Sequence, residues 1–144
     1  MTSWRDGASP QAQDDLDGLL DAALPFAQQQ IETHGEFFPY GVALDADGTQ
    51  RMVAGDPDGT EQPASLDVLA VLWDGLRSQR DQLRAIAVVS DVRLSDSDAI
   101  RVELEHREGP AMAVLLPYSR SRMRKRVDFG GLSASAADPQ VWSA

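Results

Sequence analysis

The sequence contains no cysteine and only two histidines, His34 and His106. The absence of cysteine excludes a disulfide framework, a cysteine nucleophile and thiolate ligands for a metal ion. No apolar run approaches the roughly 20 residues that cross a bilayer, and the first six residues lack the basic start and apolar core of a secretory signal. We therefore expect a cytoplasmic protein with no membrane partner.

Basic residues are also scarce: the chain has 13 lysine and arginine residues and 23 aspartate and glutamate residues, which gives a formal net charge of −10. Such a balance argues against general affinity for nucleic acid, since binding to a polyanion depends on lysine and arginine. Several of the basic residues gather between positions 120 and 126, a segment that we call the basic run: Arg120, Arg122, Arg124, Lys125 and Arg126. It is a candidate surface for an anion or an acidic partner, although a solvated loop that neutralises the protein's own acidic helices is the interpretation that the pattern favours.

The spacing of the histidines and acidic residues does not favour a metal site. His34 and His106 belong to distant elements, and neither has a metal-ligating residue four positions away. Asp45, Asp47 and Gly48 match only a fragment of a calcium loop, whose closing glutamate is missing, so these residues predict a hairpin turn instead. We predict no metal ligand and no cofactor.

Catalytic patterns are equally sparse. No serine lies in a nucleophile-elbow pattern, and Gly130 and Gly131 lack the lysine that completes a phosphate-binding loop. Glu103 and Glu105 alternate with apolar residues, which predicts ion pairs with neighbouring arginines on a solvated strand face. We therefore predict no catalytic residue, and an enzyme is the minority interpretation.

The first half of the chain predicts helix, hairpin and helix. Apolar residues recur every three or four positions between Leu16 and Ile31, and Pro25 interrupts that pattern with a kink or a division of the helix. Gly35 is the expected stop. Two strands, 37–44 and 49–54, flank the turn at Gly48, and a second amphipathic helix begins near position 63.

The last third predicts a meander of three strands. Residues 85–89 are apolar on both faces, which is typical of a central strand. Residues 100–107 alternate between apolar and charged side chains, as a strand with one wet face does, and residues 112–118 form the third strand. A short additional element is predicted at 127–132.

The resulting order, α-β-β-α-β-β-β, predicts an α+β fold with a single antiparallel sheet of about five strands. Both helices are expected on one face of that sheet, because each amphipathic helix needs an apolar surface to cover. The predicted boundaries are a flexible N-terminus at 1–12, a single α+β domain at 13–132 and an irregular C-terminal tail at 133–144.

Two resemblances accompany this pattern. The element order of residues 13–118 resembles the roadblock and longin-like modules of the profilin-like type, which implies a dimeric interaction module. The segment from His34 through the aromatic-proline stretch at Phe37, Phe38 and Pro39 to the turn at Gly48 is similar to the start of a family of small uncharacterised bacterial proteins. Neither resemblance implies a reaction.

These observations favour a non-enzymatic binding or interaction module that forms a homodimer through a sheet edge or a helix face. One alternative is an immunity-type or inhibitor protein whose acidic surface covers a basic partner. The other is a small-molecule sensor or enzyme with a pocket near the first hairpin, for which His34, Glu36 and Tyr40 are the candidate residues.

Overall fold

The computed structural model describes residues 8–55, 65–121 and 126–142 of the 144-residue chain. Within these residues, two α-helices and the first five strands follow the predicted order, two further strands come after them, and a 3-10 turn precedes the third strand. The elements are α1 (Pro10–His34), β1 (Tyr40–Asp45), β2 (Gln50–Ala54), α2 (Ser65–Ser78), the 3-10 turn (Arg80–Gln82), β3 (Leu83–Arg93), β4 (Asp98–His106), β5 (Ala111–Ser121), β6 (Arg126–Phe129) and β7 (Ser133–Ala136).

The first helix begins earlier than the sequence pattern predicts. Ser9 accepts the backbone N–H of Ala12 at 3.1 Å, and Pro10 occupies the first helical position, where its missing N–H costs nothing. Residues 10–12, predicted to be flexible, are therefore helical, whereas residues 1–7 of that predicted segment lie outside the described residues. Helix α1 runs through Pro25 without division and ends at Gly35, whose φ of 81° is left-handed.

All seven strands form one antiparallel sheet, curled into a half-barrel, in the order β2-β1-β3-β4-β5-β6. Strand β7 pairs with the first half of β5, and strand β6 pairs with its second half, so β6 and β7 lie along the same side of β5. The α+β class and the antiparallel sheet are confirmed, and the strand count exceeds the predicted five because β6 and β7 form. Residues 133–136, predicted to be part of an irregular tail, are β7.

The prediction that both helices share one face of the sheet is wrong. In β1, Tyr40, Val42 and Leu44 join the core under α1, while the intervening Ala43 joins a second core under α2. Because successive side chains of a strand point to opposite faces, the two helices cover opposite faces of the sheet. The same alternation runs along β3, where both sets of side chains are apolar and each set needs its own cover.

The two cores differ in size. The larger one, the α1 face, draws on α1, β1, β3, β4 and β5, and it includes Leu16, Leu19, Ala23, Ala27 and Ile31 of the helix. The smaller one, the α2 face, contains Val68, Leu72 and Leu76 of α2 together with Leu83, Ile86, Val88 and Val141. Among the described residues, no helix combines the length and the apolar character that crossing a membrane requires.

Candidate functional site

A largely buried polar cluster joins α1 to the ends of β3 and β4. His106 is fully buried, and its Nε2 lies 2.8 Å from Oδ2 of Asp15, while its Nδ1 accepts the backbone N–H of Glu108 at 3.1 Å. These partners assign the proton to Nε2. Arg84 donates from Nη2 to Oδ1 of Asp15 at 3.0 Å, and its Nε lies 3.0 Å from Oδ2, out of line for a hydrogen bond.

This Asp15–Arg84–His106 cluster has no geometry for catalysis. A general base must present a ring nitrogen to substrate, but both nitrogens of His106 are engaged and the ring has no solvent exposure. The Asp15 carboxylate instead accepts from the Arg84 guanidinium and the His106 ring, in a place where an unpaired charge is costly. The cluster therefore fixes the N-terminal half of α1 against the sheet.

A second polar group lies near the C-terminal end of α1. The hydroxyl of Tyr118 donates to Oδ1 of Asp91 at 2.6 Å, and burial raises the pKa of the Asp91 carboxyl. Desolvation also raises the pKa of the Tyr118 phenol. The negative charges of Asp98 and Glu36 also raise the pKa of the half-buried Asp91 carboxyl.

The three predicted pocket residues do not bring their polar atoms together. Tyr40 is buried, and its hydroxyl donates to the carbonyl of Ala23 at 2.6 Å. Along a helix rising 1.5 Å per residue, Ala23 lies about 16 Å from His34. His34 and Glu36 are exposed. The Tyr40 ring packs edge-on against Phe26 and Phe37, which is core packing and not a ligand cage.

The basic run is described only at its two ends. Arg120 is exposed and donates to the carbonyl of Ile31 at 3.3 Å, so it caps the last turn of α1, where a cation is favoured. Arg126 is paired with Asp128 at 3.0 Å on β6. Arg122, Arg124 and Lys125 lie outside the described residues, and an anion surface there stays a prediction.

Glu105 departs from its predicted place on a solvated face. Its exposure is 3%, and its carboxylate accepts backbone N–H groups from three successive residues, Gln140, Val141 and Trp142, at 2.7–3.1 Å. The neighbouring Glu103 behaves as expected, since it pairs with Arg101 at 3.3 Å. No sequence signal reveals the burial of Glu105, because its donors are main-chain groups about 35 positions away.

The hairpin turn between β1 and β2 lines an open hollow of about 550 Å³. Asp47 accepts the backbone N–H of Thr49 at 2.9 Å, which lowers the pKa of its carboxyl, and Asp45 is paired with Arg51 at 3.2 Å. The acidic oxygens are thus used within the turn. Among the described residues, no group of three or more acidic or histidine side chains is placed to hold a metal ion.

Among the described residues, β2 is an edge strand of the sheet and no strand pairs with its outer side. In the hairpin, the N–H of Asp45 donates to the carbonyl of Thr49, so these two residues form a hydrogen-bonded pair. Hydrogen-bonded and non-hydrogen-bonded pairs alternate along an antiparallel ladder, so the next hydrogen-bonded pairs between β1 and β2 are Ala43–Arg51 and Gly41–Val53. The N–H and C=O groups of Gln50, Met52 and Ala54 therefore point away from the sheet. An edge of this kind is a template for another strand.

An apolar surface adjoins this edge on the α1 face. Met52 is 55% exposed and is paired with Val42 in the ladder. Ala54 is paired with Tyr40, and the Tyr40 ring packs against the Phe26 ring at a centroid distance of 5.1 Å. Phe26 is 38% exposed. We call Phe26, Met52 and Ala54 the edge patch. Phe38, 54% exposed, precedes β1 by two residues and adds apolar surface nearby in the sequence.

Comparisons of the chain with protein-family models, with curated proteins and with solved structures give no match.

Proposed function

We propose that the protein is a non-enzymatic interaction module that forms a homodimer by antiparallel pairing of β2 with β2 of a second copy. The observation that carries the proposal is the outer edge of β2, which no described strand covers, with its outward main-chain groups and the adjoining edge patch. A strand that pairs with its own copy uses the same surface twice, which is the requirement of a two-fold interface.

The register of such a pair follows from the outward-facing groups. A two-fold axis beside Met52 places Met52 opposite its copy and Gln50 opposite Ala54 of the other chain. Each of these residues then donates and accepts one hydrogen bond, which gives about six main-chain hydrogen bonds across the axis. The result is a continuous sheet through both copies.

The charges on the edge suit a like partner. Strand β2 carries no acidic residue, and its one charged side chain, Arg51, is already engaged by Asp45 and Gln79. Arg51 faces Val53 of the other copy in this register, so no like charges are opposed. The net charge of −10 still repels at a distance, and salt should therefore strengthen the dimer by screening.

The opposite side of the sheet is better protected against such pairing. Its outer strands, β6 and β7, have four residues each and follow one another along β5. Short edge strands and exposed charges, such as the Arg126–Asp128 pair on β6, discourage pairing. Self-association is therefore expected at β2.

The test is sedimentation of the full chain and its variants over a micromolar concentration series. Met52→Pro removes an outward N–H without breaking a bond to β1, and proline is tolerated at such edge positions. We expect a folded monomer from Met52→Pro and a weakened dimer from Met52→Ala, which loses apolar surface but keeps the N–H. Leu132→Pro is the matched control, since Leu132 is also 55% exposed.

A wild-type protein that sediments as a monomer at all these concentrations would remove the dimer from the proposal. So would equal dimerisation of wild type and Met52→Pro. Circular dichroism of each variant distinguishes loss of pairing from loss of fold.

A further inference from the structure

A buried histidine holds the turn between β4 and β5, residues 107–110, which we call the β4–β5 turn. The N–H groups of the first and third residues of this turn donate to main-chain carbonyls at 3.0 and 2.9 Å, and its last residue, Pro110, has no N–H. The N–H of Glu108 donates instead to Nδ1 of His106 at 3.1 Å. One main-chain group of the turn is therefore held by a nitrogen that takes up a proton in mild acid.

Protonation of Nδ1 is incompatible with this hydrogen bond. A neutral imidazole has one nitrogen that donates and one that accepts, whereas both nitrogens of an imidazolium donate. Nε2 of His106 already carries a proton toward Asp15, so a second proton goes to Nδ1 and removes the acceptor of the Glu108 N–H. The contact between Nε2 and Asp15 is made in both states, so the attachment of α1 is kept.

The side chain of Glu108 supplies a partner for the second proton. Its Oε2 lies 3.9 Å from Nδ1 of His106, and the side chain is 40% exposed. A hydrogen bond from a charged nitrogen to a carboxylate oxygen is about 2.7–2.9 Å long, so closure needs a movement of about 1 Å. Glu108 therefore offers Nδ1 a donor, its N–H, when the ring is neutral, and an acceptor, its carboxylate, when the ring is charged.

Charged groups face His106 from α1, from β3 and from the β4–β5 turn. Asp15 lies at Nε2, Glu108 lies near Nδ1, and Arg84 donates to Asp15 at 3.0 Å. Arg84 also attracts the exposed carboxylate of Asp47 in the turn between β1 and β2. The three groups nearest the ring carry a formal charge of −1 when the ring is neutral, and a proton on the ring brings this sum to zero. The imidazolium is thus compensated, as a buried charge requires.

We propose that His106 is a proton-operated latch for the β4–β5 turn. In the neutral state Nδ1 holds the N–H of Glu108, and the Glu108 carboxylate lies at the surface. In the protonated state Nδ1 holds that carboxylate, and the N–H is released to solvent. The surface charge of the turn changes accordingly, because Glu108 is drawn inward while Arg107 stays exposed. Strands β1 and β3 separate β4 from β2, so the latch does not rest on the dimer edge.

The test is an NMR titration of the full chain from about pH 8 to about pH 4.5. The ring nitrogens of His106 report its protonation, and the amide of Glu108 reports the hydrogen bond to Nδ1. We expect the protection factor of the Glu108 amide to fall at least about tenfold, with the same midpoint as the ring. The amides of Arg107 and Gly109 donate to carbonyls, so they are internal controls and should keep their protection.

Glu108→Gln tests the protonated state. This variant keeps the main-chain N–H but lacks the carboxylate, so the imidazolium loses a partner. The midpoint of the His106 titration should therefore fall by about half a pH unit or more. Asp138→Asn is the matched control, since it removes the same charge from an exposed residue and should leave the midpoint unchanged.

A His106 ring that stays neutral for as long as circular dichroism shows a folded chain would overturn the proposal. So would a Glu108 amide whose protection does not follow the protonation of the ring. Equal midpoints in the wild type and Glu108→Gln would refute the role of the carboxylate as the second partner. If Glu108→Gln does not fold, Glu108→Asp, whose carboxylate is one methylene shorter, serves in its place with the same expected direction.

Discussion

Replacing Asp15 by alanine should destabilise the protein far more than replacing Asp14, its neighbour on α1. The Asp15 carboxylate is only 9% exposed and is shared by Arg84, 18% exposed, and His106, which is fully buried. Asp15→Ala leaves the guanidinium and the imidazole without their common partner. Breaking a buried pair by removing one member costs about 3–5 kcal/mol. Asp14 is exposed, and its replacement should change the free energy of unfolding by less than about 0.5 kcal/mol.

The expected loss can be measured by urea denaturation at neutral pH and by thermal melting. With an unfolding entropy of about 2.1 cal/mol/K per residue, a loss of 3–5 kcal/mol lowers Tm by about 10–16 °C. A domain of this length has about 7–20 kcal/mol of stability, so Asp15→Ala should still fold. Asp15→Asn keeps an acceptor but loses the charge, and its cost should fall between those of Asp14→Ala and Asp15→Ala.

A double-mutant cycle tests the cause of the effect. If the ion pair is responsible, Arg84→Met should cost at least 1 kcal/mol less in the Asp15→Ala background than in the wild type. Two results would refute the assignment of the cluster as the attachment of α1. The first is a free energy of unfolding for Asp15→Ala within 1 kcal/mol of that for Asp14→Ala. The second is additivity of the costs of Asp15→Ala and Arg84→Met.

Two further predictions concern the far end of α1. Gly35→Ala should destabilise the protein by about 1–2 kcal/mol because the backbone at Gly35 is left-handed, and by a further amount because the new Cβ would meet the Arg120 guanidinium. Gly48→Ala should show the backbone cost alone, because Gly48 has a φ of 94° and open space around it. Urea denaturation of both variants, and of Gly35→Ala combined with Arg120→Ala, separates the two costs. Burial raises the pKa of Asp91 in the folded state, so the contribution of this carboxyl to stability is present below its unfolded pKa and is lost as pH rises through its folded pKa. Asp91→Asn keeps an acceptor for Tyr118 and does not titrate, so its stability relative to the wild type should increase between pH 3 and pH 7. A stability difference that is constant or shrinks with rising pH would contradict this.

The sequence predicts the elements better than their arrangement. Helix α1, the hairpin at Gly48 and strands β3 to β5 follow from periodicity and turn chemistry, and all are confirmed. Residues 85–89 carry apolar side chains on both faces, and a strand of this kind needs cover on both sides. That requirement conflicts with two helices on one face, and the structure resolves the conflict by placing them on opposite faces.

The polar contacts escape prediction for a different reason. Asp15 stands in an acidic run that suits the N-terminus of a helix, and its true partners, Arg84 and His106, are 69 and 91 positions away. Glu105 alternates with apolar residues as a wet-face residue does, and its donors are backbone groups that leave no trace in side-chain patterns. Likewise, the closeness of His34, Glu36 and Tyr40 in sequence does not bring their polar atoms together, because helix α1 ends between them and Tyr40 turns into the core.

The burial of Val141 in the α2-face core has a consequence for biosynthesis. The α1-face core needs no residue beyond Phe129, whereas the α2-face core includes Val141. Since a chain is synthesised from its N-terminus at about 5–20 residues per second, the α1 face has all its parts first. During that interval the Glu105 carboxylate lacks the N–H groups of residues 140–142 that it accepts in the fold, and the α2-face core lacks the side chain of Val141.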